Sequence, residues 1–310
     1  MIIRNGTTIW SLIRDHWRAL AVVLLISFSV ELLADTGVFD LQAFSLSSIS
    51  VLTTALTIYL VFRVNEAYER WWEARKLWGA LVNDSRRFAR QVLSMVTAER
   101  VSGIADTDGE KRLQTQFIHR QIAYVHALRT HLRGQGDWSD AARLLGEDET
   151  QALEEAANRP AQLVLLQATC LRSVLGPNAA EQLILNQIDD TLSKFYDIQG
   201  GCERIKNTAF PDAITLFTQQ LVWLVAVLIP IAIIDPDNQF DLLELGVVTL
   251  MSYSIVMINE LGQDLKNPFE NSPNDTPMTS LCATIEIDLR QMLGETELPE
   301  PVKPEKGILM

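Results

Sequence analysis

The chain has few of the residues that build metal or disulfide sites. Its three cysteines, Cys170, Cys202 and Cys282, are isolated and form no CxxC pair, so the sequence predicts neither a disulfide framework nor a zinc site. The four histidines include no pair four residues apart, the spacing with which one helix face presents two imidazoles to a metal. We therefore expect no cofactor and no confident metal site.

Basic residues are also scarce, and the formal net charge is -13. This charge argues against a nucleic-acid partner, because binding a phosphate backbone needs clustered lysine and arginine. The sequence also lacks a glycine-rich phosphate loop, a nucleophile elbow and an HExxH motif. We therefore predict that the protein is not an enzyme.

Lysine and arginine are missing altogether from two long stretches, between Arg18 and Arg63 and between Lys206 and Lys266. These stretches contain four apolar runs, each close to the length of about 20 residues that a helix needs to cross a bilayer. The runs cover residues 18–34, 44–62, 213–234 and 242–261. They predict four transmembrane helices; the alternative, buried helices of a soluble protein, fits their arrangement in two close pairs less well.

The positions of the basic residues predict the topology. By the positive-inside rule the N-terminus, residues 63–211 and the tail 266–310 are cytoplasmic, and both short connections are external. No Ala-x-Ala site follows the first apolar run, so we expect a membrane helix there rather than a cleaved signal. No long Gly/Ser/Pro-rich linker divides the chain, and we expect one unit over residues 1–310.

The segment between the two pairs of membrane helices is typical of helices, because no proline precedes Pro160 and Gly79 is the first glycine after Gly37. The second membrane helix should continue far beyond the bilayer, and residues 103–110 should form a loop. The predicted fold class is all-α. Further helices are expected over residues 115–132, 139–156, 159–175, 178–197 and 279–293.

Phe62–Gly79, with the sequence FRVNEAYERWWEARKLWG, resembles the signature that follows the second membrane helix of bestrophins. Three further motifs follow in the order of that family: Gly200–Ile205 (GGCERI), Asn267–Phe269 (NPF) and Ser272–Asp275 (SPND). The resemblance covers nearly the whole chain. It implies a homopentamer around a central pore, passive ion conduction, and a location in a bacterial-type inner (plasma) membrane.

The resemblance also places Thr54, Ile58 and Phe62 in a pore neck, and their spacing of four keeps them on one helix face. Rings of Ile58 and Phe62 cannot hydrate an ion, so such a neck would gate by wetting and dewetting. Thr54 replaces an apolar residue usual in the family, and its hydroxyl would keep the upper neck wetter. The alternative is that these three residues only pack one helix against another and line no pore. The alignment suggests Leu183 for a cytoplasmic aperture, and a core leucine is the alternative there.

Acidic residues without compensating bases surround the predicted external connections, and they predict a negative outer mouth that favours monovalent cations. These acids are Glu31, Asp35, Asp40, Asp235, Asp237, Asp241 and Glu244. The alternative is that they only follow the charge bias of an outer surface. The resemblance allows either ion sign, so a chloride or anion channel is the alternative function, with a secondary transporter or a membrane-anchored scaffold as the second.

Animal bestrophins bind calcium through a dense acidic run after the Asn-Pro-Phe motif. In this chain only Glu270 and Asp275 fall near that place. Calcium usually takes six or more oxygen ligands with several carboxylates, so the two are weak candidates for a calcium clasp. We predict gating that does not depend on calcium. The expected partners are further copies of the chain, the lipid bilayer and the permeant ions.

Overall fold

The computed structural model describes residues 13–35, 46–101, 106–208, 212–234, 240–305 and 308–309. Within these ranges the chain is helical and forms no β-sheet, which confirms the all-α prediction. The helices are α1 (Trp17–Asp35), α2 (Leu46–Met95), α3 (Thr107–Arg133), α4 (Ser139–Ala142), α5 (Glu147–Glu154), α6 (Arg159–Val174), α7 (Ala179–Asn207), α8 (Asp212–Ile233), α9 (Leu242–Asp264) and α10 (Met278–Leu293).

The contacts group the chain into two compact units. The membrane unit comprises Ile2–Trp71 and Thr208–Asn267, and the helical unit comprises Trp72–Asn207 and Pro268–Met310. The 50-residue helix α2 contributes to both units, so the second membrane helix does continue far beyond its apolar run. A single architecture over residues 1–310 stays a prediction.

Four helices of the described chain are long and apolar enough to cross a membrane, namely α1, α2, α8 and α9, which confirms the four predicted spans. In the membrane unit α1, α8 and α9 pack against one another, and α2 adds the buried side chains of Leu56 and Leu60 to their apolar core. Many outward side chains are large and apolar, for example Leu25 and Leu250. Such a surface is stable against lipid or against another subunit.

The helical unit is built around α3, which contacts α4, α6, α7 and α10 and has fifteen buried residues. The side chain of Asp106 caps its start by accepting a hydrogen bond from the backbone N–H of Gly109 at 2.8 Å. Gly134, with φ +64°, ends it in the left-handed conformation that glycine favours. The prediction of a loop over residues 103–110 was therefore wrong from Thr107 onward, because the acids of this segment cap a helix.

Two other boundaries differ from prediction. The single helix expected over residues 139–156 is divided into α4 and α5, and Gly146 between them is extended, with φ -69° and ψ 159°. Helix α7 runs on to Asn207 rather than ending at Asp197. Glycines 200 and 201 lie inside α7 despite the low helix propensity of glycine.

A buried ionic network joins α10 to the rest of the helical unit at Glu286, which is 2 % exposed. Its Oε2 accepts hydrogen bonds from Nε2 of His126 at 2.9 Å and from Nη2 of Arg143 at 2.7 Å, and Nη2 of Arg290 lies 3.1 Å from Oε1. Burial alone would raise the pKa of Glu286, but hydrogen bonds and charge from His126 and Arg143 lower it to about 2. The carboxylate is therefore ionised at neutral pH.

Candidate ion pathway

The exposed face of α2 carries the three predicted neck residues. Its buried stripe contains Leu56 and Leu60, each 1 % exposed. With about 100° of rotation per residue, Thr54 and Ile58 stand about 200° from these leucines, on the opposite face. Ile58 is 55 % and Phe62 is 67 % exposed. All three side chains thus lie at the surface of the subunit, where water, lipid or another subunit can meet them.

The hydroxyl of Thr54 is oriented by its own helix. Its Oγ1 donates a hydrogen bond to the carbonyl oxygen of Ser50 at 2.7 Å. The proton is therefore used inside the helix, and the lone pairs of the hydroxyl oxygen remain available on the exposed side. A ring of such oxygens would present acceptors, which suit a cation or a water molecule better than an anion.

Leu183, the candidate for the aperture, lies in the first part of α7 in the helical unit. Its side chain is 65 % exposed. A leucine of the subunit core would be buried, as Leu192 on the same helix is at 2 % exposed. Leu183 therefore lies free at the subunit surface, as an aperture residue would.

The predicted mouth acids are placed unequally. Asp40, Asp235 and Asp237 lie outside the described residues, and Asp35 ends α1 without a described side chain. Glu31 is 6 % exposed, and its Oε1 accepts a hydrogen bond from the backbone N–H of Asp241 at 3.3 Å. The carboxylate of Glu31 is thus inside the membrane unit rather than on its surface.

Asp241 and Glu244 lie at the start of α9 and are partly exposed. The Oδ1 atom of Asp241 accepts from the backbone N–H of Leu243 at 2.8 Å, so this residue caps the helix. Glu244 occupies the first turn, where the helix dipole favours a negative charge. Both acids therefore have a structural role, and both remain accessible enough to affect a nearby ion.

The segment after α9 holds the two candidates for a calcium clasp. Asp275 is 2 % exposed, and its Oδ2 accepts from the backbone N–H of Ser272 at 3.0 Å. Burial raises the pKa of Asp275, while backbone N–H groups of Ser272, Glu270 and Asn271 oppose that effect. Glu270 is exposed. Among the described residues no group of three His, Cys, Asp or Glu side chains could hold a metal, and the Asp275 carboxylate instead closes a turn.

The signature motifs have packing roles within each unit. In the helical unit a Cβ atom on Gly201 would lie 3.0 Å from Cδ1 of Leu77, so any other residue at this position would displace Leu77 or move α7 away from α2. Arg204 of the GGCERI motif forms an ion pair with Glu73 of the first signature, with Nη2 to Oε1 at 2.5 Å. These contacts bring the two motifs together in the fold.

In the membrane unit Arg63 donates from Nη1 to Oδ1 of Asn259, which is 3 % exposed, at 3.0 Å. Sequence reasoning missed Asn259. The sequence feature that could have indicated such a partner is the position of Arg63. It is the first charge after a long apolar run, and a half-buried charge needs a polar partner.

This geometry defines a helical multi-pass membrane protein with an apolar surface stripe on its longest helix. The family model described as Bacterial/Fungal Bestrophin protein matches residues 5–291, and the chain belongs to the bestrophin family. The resemblance found in the sequence is confirmed.

Two relatives are the voltage-dependent anion channel-forming proteins YneE of Salmonella typhi and mll4386 of Mesorhizobium japonicum. The first is 31% identical over 263 residues, 85% of this chain and 82% of the relative. The second is 30% identical over 286 residues, which make up 92% of this chain and 85% of the relative. A crystal structure of a bacterial bestrophin homolog from Klebsiella pneumoniae matches with a TM-score of 0.77 and 25% identity, over 90% of this chain and 98% of that one.

Proposed function

We propose that the chain is the subunit of a homopentameric ion channel of the bestrophin type, located in a bacterial inner (plasma) membrane. Two relatives bear the name voltage-dependent anion channel-forming protein, and the matched solved structures include bestrophin homologs. The distribution of lysine and arginine supports cytoplasmic N- and C-termini and a cytoplasmic helical unit. Conduction is passive and needs no cofactor.

The observation that carries this proposal is the exposed face of α2. Ile58 and Phe62 lie on this face, one turn apart, opposite the stripe that holds α2 to its own subunit. Five copies around an axis would form two apolar rings, which cannot replace the hydration water of an ion. The neck then conducts when it is wetted and closes when it dries. Leu183 would form a further aperture in the helical unit.

Monovalent cations are the proposed permeant ions. The outward lone pairs of Thr54 and the accessible carboxylates of Asp241 and Glu244 support this choice, since both kinds of oxygen attract cations. An anion channel of the same fold is the second candidate, and the names of the two relatives favour it.

The test is the reversal potential of purified protein in a planar bilayer under a gradient of potassium chloride. A reversal near the potassium equilibrium potential supports a cation channel, and one near the chloride potential supports the second candidate. Asp241→Asn with Glu244→Gln removes two charges and keeps a good helix cap. If the mouth acids select cations, this variant moves the reversal potential toward zero. Complete absence of current would favour a closed channel, a transporter or a scaffold.

A further inference from the structure

Two adjacent glutamines interrupt the apolar span of α8. Gln219 and Gln220 are the seventh and eighth residues of the span Ala213–Ile233. At a rise of about 1.5 Å per residue they lie ~9 to ~11 Å from the first residue of that span. This depth is inside a hydrocarbon layer of about 30 Å. Two primary amides therefore reach the level of the lipid tails.

The glutamines lie on a face of α8 that its own subunit leaves open. Val222, Val225 and Ala226 are fully buried against α1 and α9 and define the inner face of the helix. The opposite side bears a shallow groove of about 600 Å³ whose lining residues all belong to α8. They are Leu216, Gln219, Gln220, Trp223, Leu224 and Val227. The membrane unit thus supplies only the floor of this groove.

Within the described ranges neither glutamine amide makes a hydrogen bond. Gln220 is exposed and Gln219 is half-buried. The exposed leucines of the groove are satisfied by lipid tails, but an amide has two donors and one acceptor that tails cannot match. The occupant of the groove must therefore bring hydrogen-bonding groups to this depth of the hydrocarbon layer, which a protein helix does and an acyl chain does not.

We propose that the groove on α8 is a docking surface for a second copy of this chain inside the membrane, with the amides of Gln219 and Gln220 hydrogen-bonded to that copy. The inference rests on the proposed homo-oligomer and adds the surface through which its subunits meet. In a ring the contact is heterologous, so this face of one copy meets a different face of the next copy, and every groove in the ring is filled.

A photo-crosslinker in place of Gln220 tests the docking surface. The full chain carries p-benzoylphenylalanine at position 220, is irradiated in the membrane, and is analysed for covalent dimers and for lipid adducts. Mass photometry of the same unirradiated preparation counts the copies per particle. We expect particles of five copies and covalent dimers. Five copies with lipid adducts alone would overturn the docking surface and leave the pentamer standing, whereas single copies would overturn both.

A second measurement tests the hydrogen bonds themselves. Gln219→Leu with Gln220→Leu keeps the apolar fit and removes the amides, so the dissociated fraction after mild heating should rise about threefold to tenfold, as expected for one or two interhelical hydrogen bonds in a membrane. Ser254→Leu on α9 is the matched control, because this serine is exposed in a span but already donates to the carbonyl of Leu250 at 2.7 Å. Equal dissociation of the double variant, the control and the parent would overturn the proposal.

Discussion

Replacing Glu286 by glutamine should destabilise the helical unit strongly. The carboxylate holds His126, Arg143 and Arg290 through both of its oxygens, and its side chain is 3 % exposed. Glutamine has nearly the same shape but no charge, so the substitution removes the ionic interaction and opens no cavity. Arg143 then loses its carboxylate partner, while Arg290 keeps the carboxylate of Glu295 at 3.3 Å.

The size of the effect follows from the pKa of Glu286. It is lowered from 4.5 to about 2, by hydrogen bonds and charge that outweigh the opposing effect of burial. At about 1.4 kcal/mol per pKa unit this shift corresponds to roughly 3 kcal/mol of stability. Because the pKa is lower in the folded state, the contribution is complete above about pH 4.5 and is lost as the pH falls toward about 2.

Thermal unfolding in detergent, followed by circular dichroism at pH 7 and again at pH 3, measures this contribution. The matched control is Asp288→Asn on the same helix, because Asp288 pairs with Arg86 at 2.5 Å while its side chain stays 28 % exposed. We expect the control to change stability by less than about 1 kcal/mol. Glu286→Gln should lower stability by about 3 kcal/mol at pH 7 and by clearly less at pH 3. Equal effects of the two variants at pH 7 would contradict a stabilising ionic network at Glu286.

Three further predictions follow from the site and its packing. Ile58→Ala or Phe62→Ala enlarges an apolar ring and eases its wetting, so single-channel conductance in a bilayer should rise; unchanged currents would remove both residues from the neck. Gly200→Ala fills open space on α7 and should raise the free energy of unfolding by about 0.5–1 kcal/mol. Gly201→Val meets Leu77 and should lower it by about 1–3 kcal/mol. Thermal unfolding measures both changes. Currents should not respond to added calcium, and a rise on its addition would contradict calcium-independent gating.

The sequence predicted the membrane helices well because their signal is local. A run of about 20 apolar residues without a charge is typical of a membrane-spanning helix. The absence of proline before Pro160, and of glycine between Gly37 and Gly79, predicted the long continuation of α2. The start of α3 was missed because Asp106 and Asp108 are typical of loops and of helix N-termini alike.

Contacts between residues far apart in the chain were beyond sequence reasoning. Glu286 and His126 are 160 positions apart, and no local pattern indicates that they meet. The burial of Glu31 depends in the same way on α9, whose first N–H groups offer a partner for its carboxylate. The resemblance to bestrophins placed the neck on α2, and the spacing of four agreed with it because residues four apart share one helix face. That these residues line a pore stays a prediction.

The most direct test of the central claim is chemical access to the exposed face of α2 during conduction. Ile58→Cys in a Cys170→Ser background is recorded in a planar bilayer before and after a charged, water-soluble methanethiosulfonate reagent is added; the two remaining cysteines, Cys202 and Cys282, are fully buried. Leu25→Cys, at an exposed site of α1, is the control. If five copies of Ile58 line the neck, the reagent changes the current through the Ile58→Cys channel at once and leaves the control unaffected. An Ile58→Cys current that stays unchanged while the thiol is shown by mass spectrometry to be labelled would contradict the account.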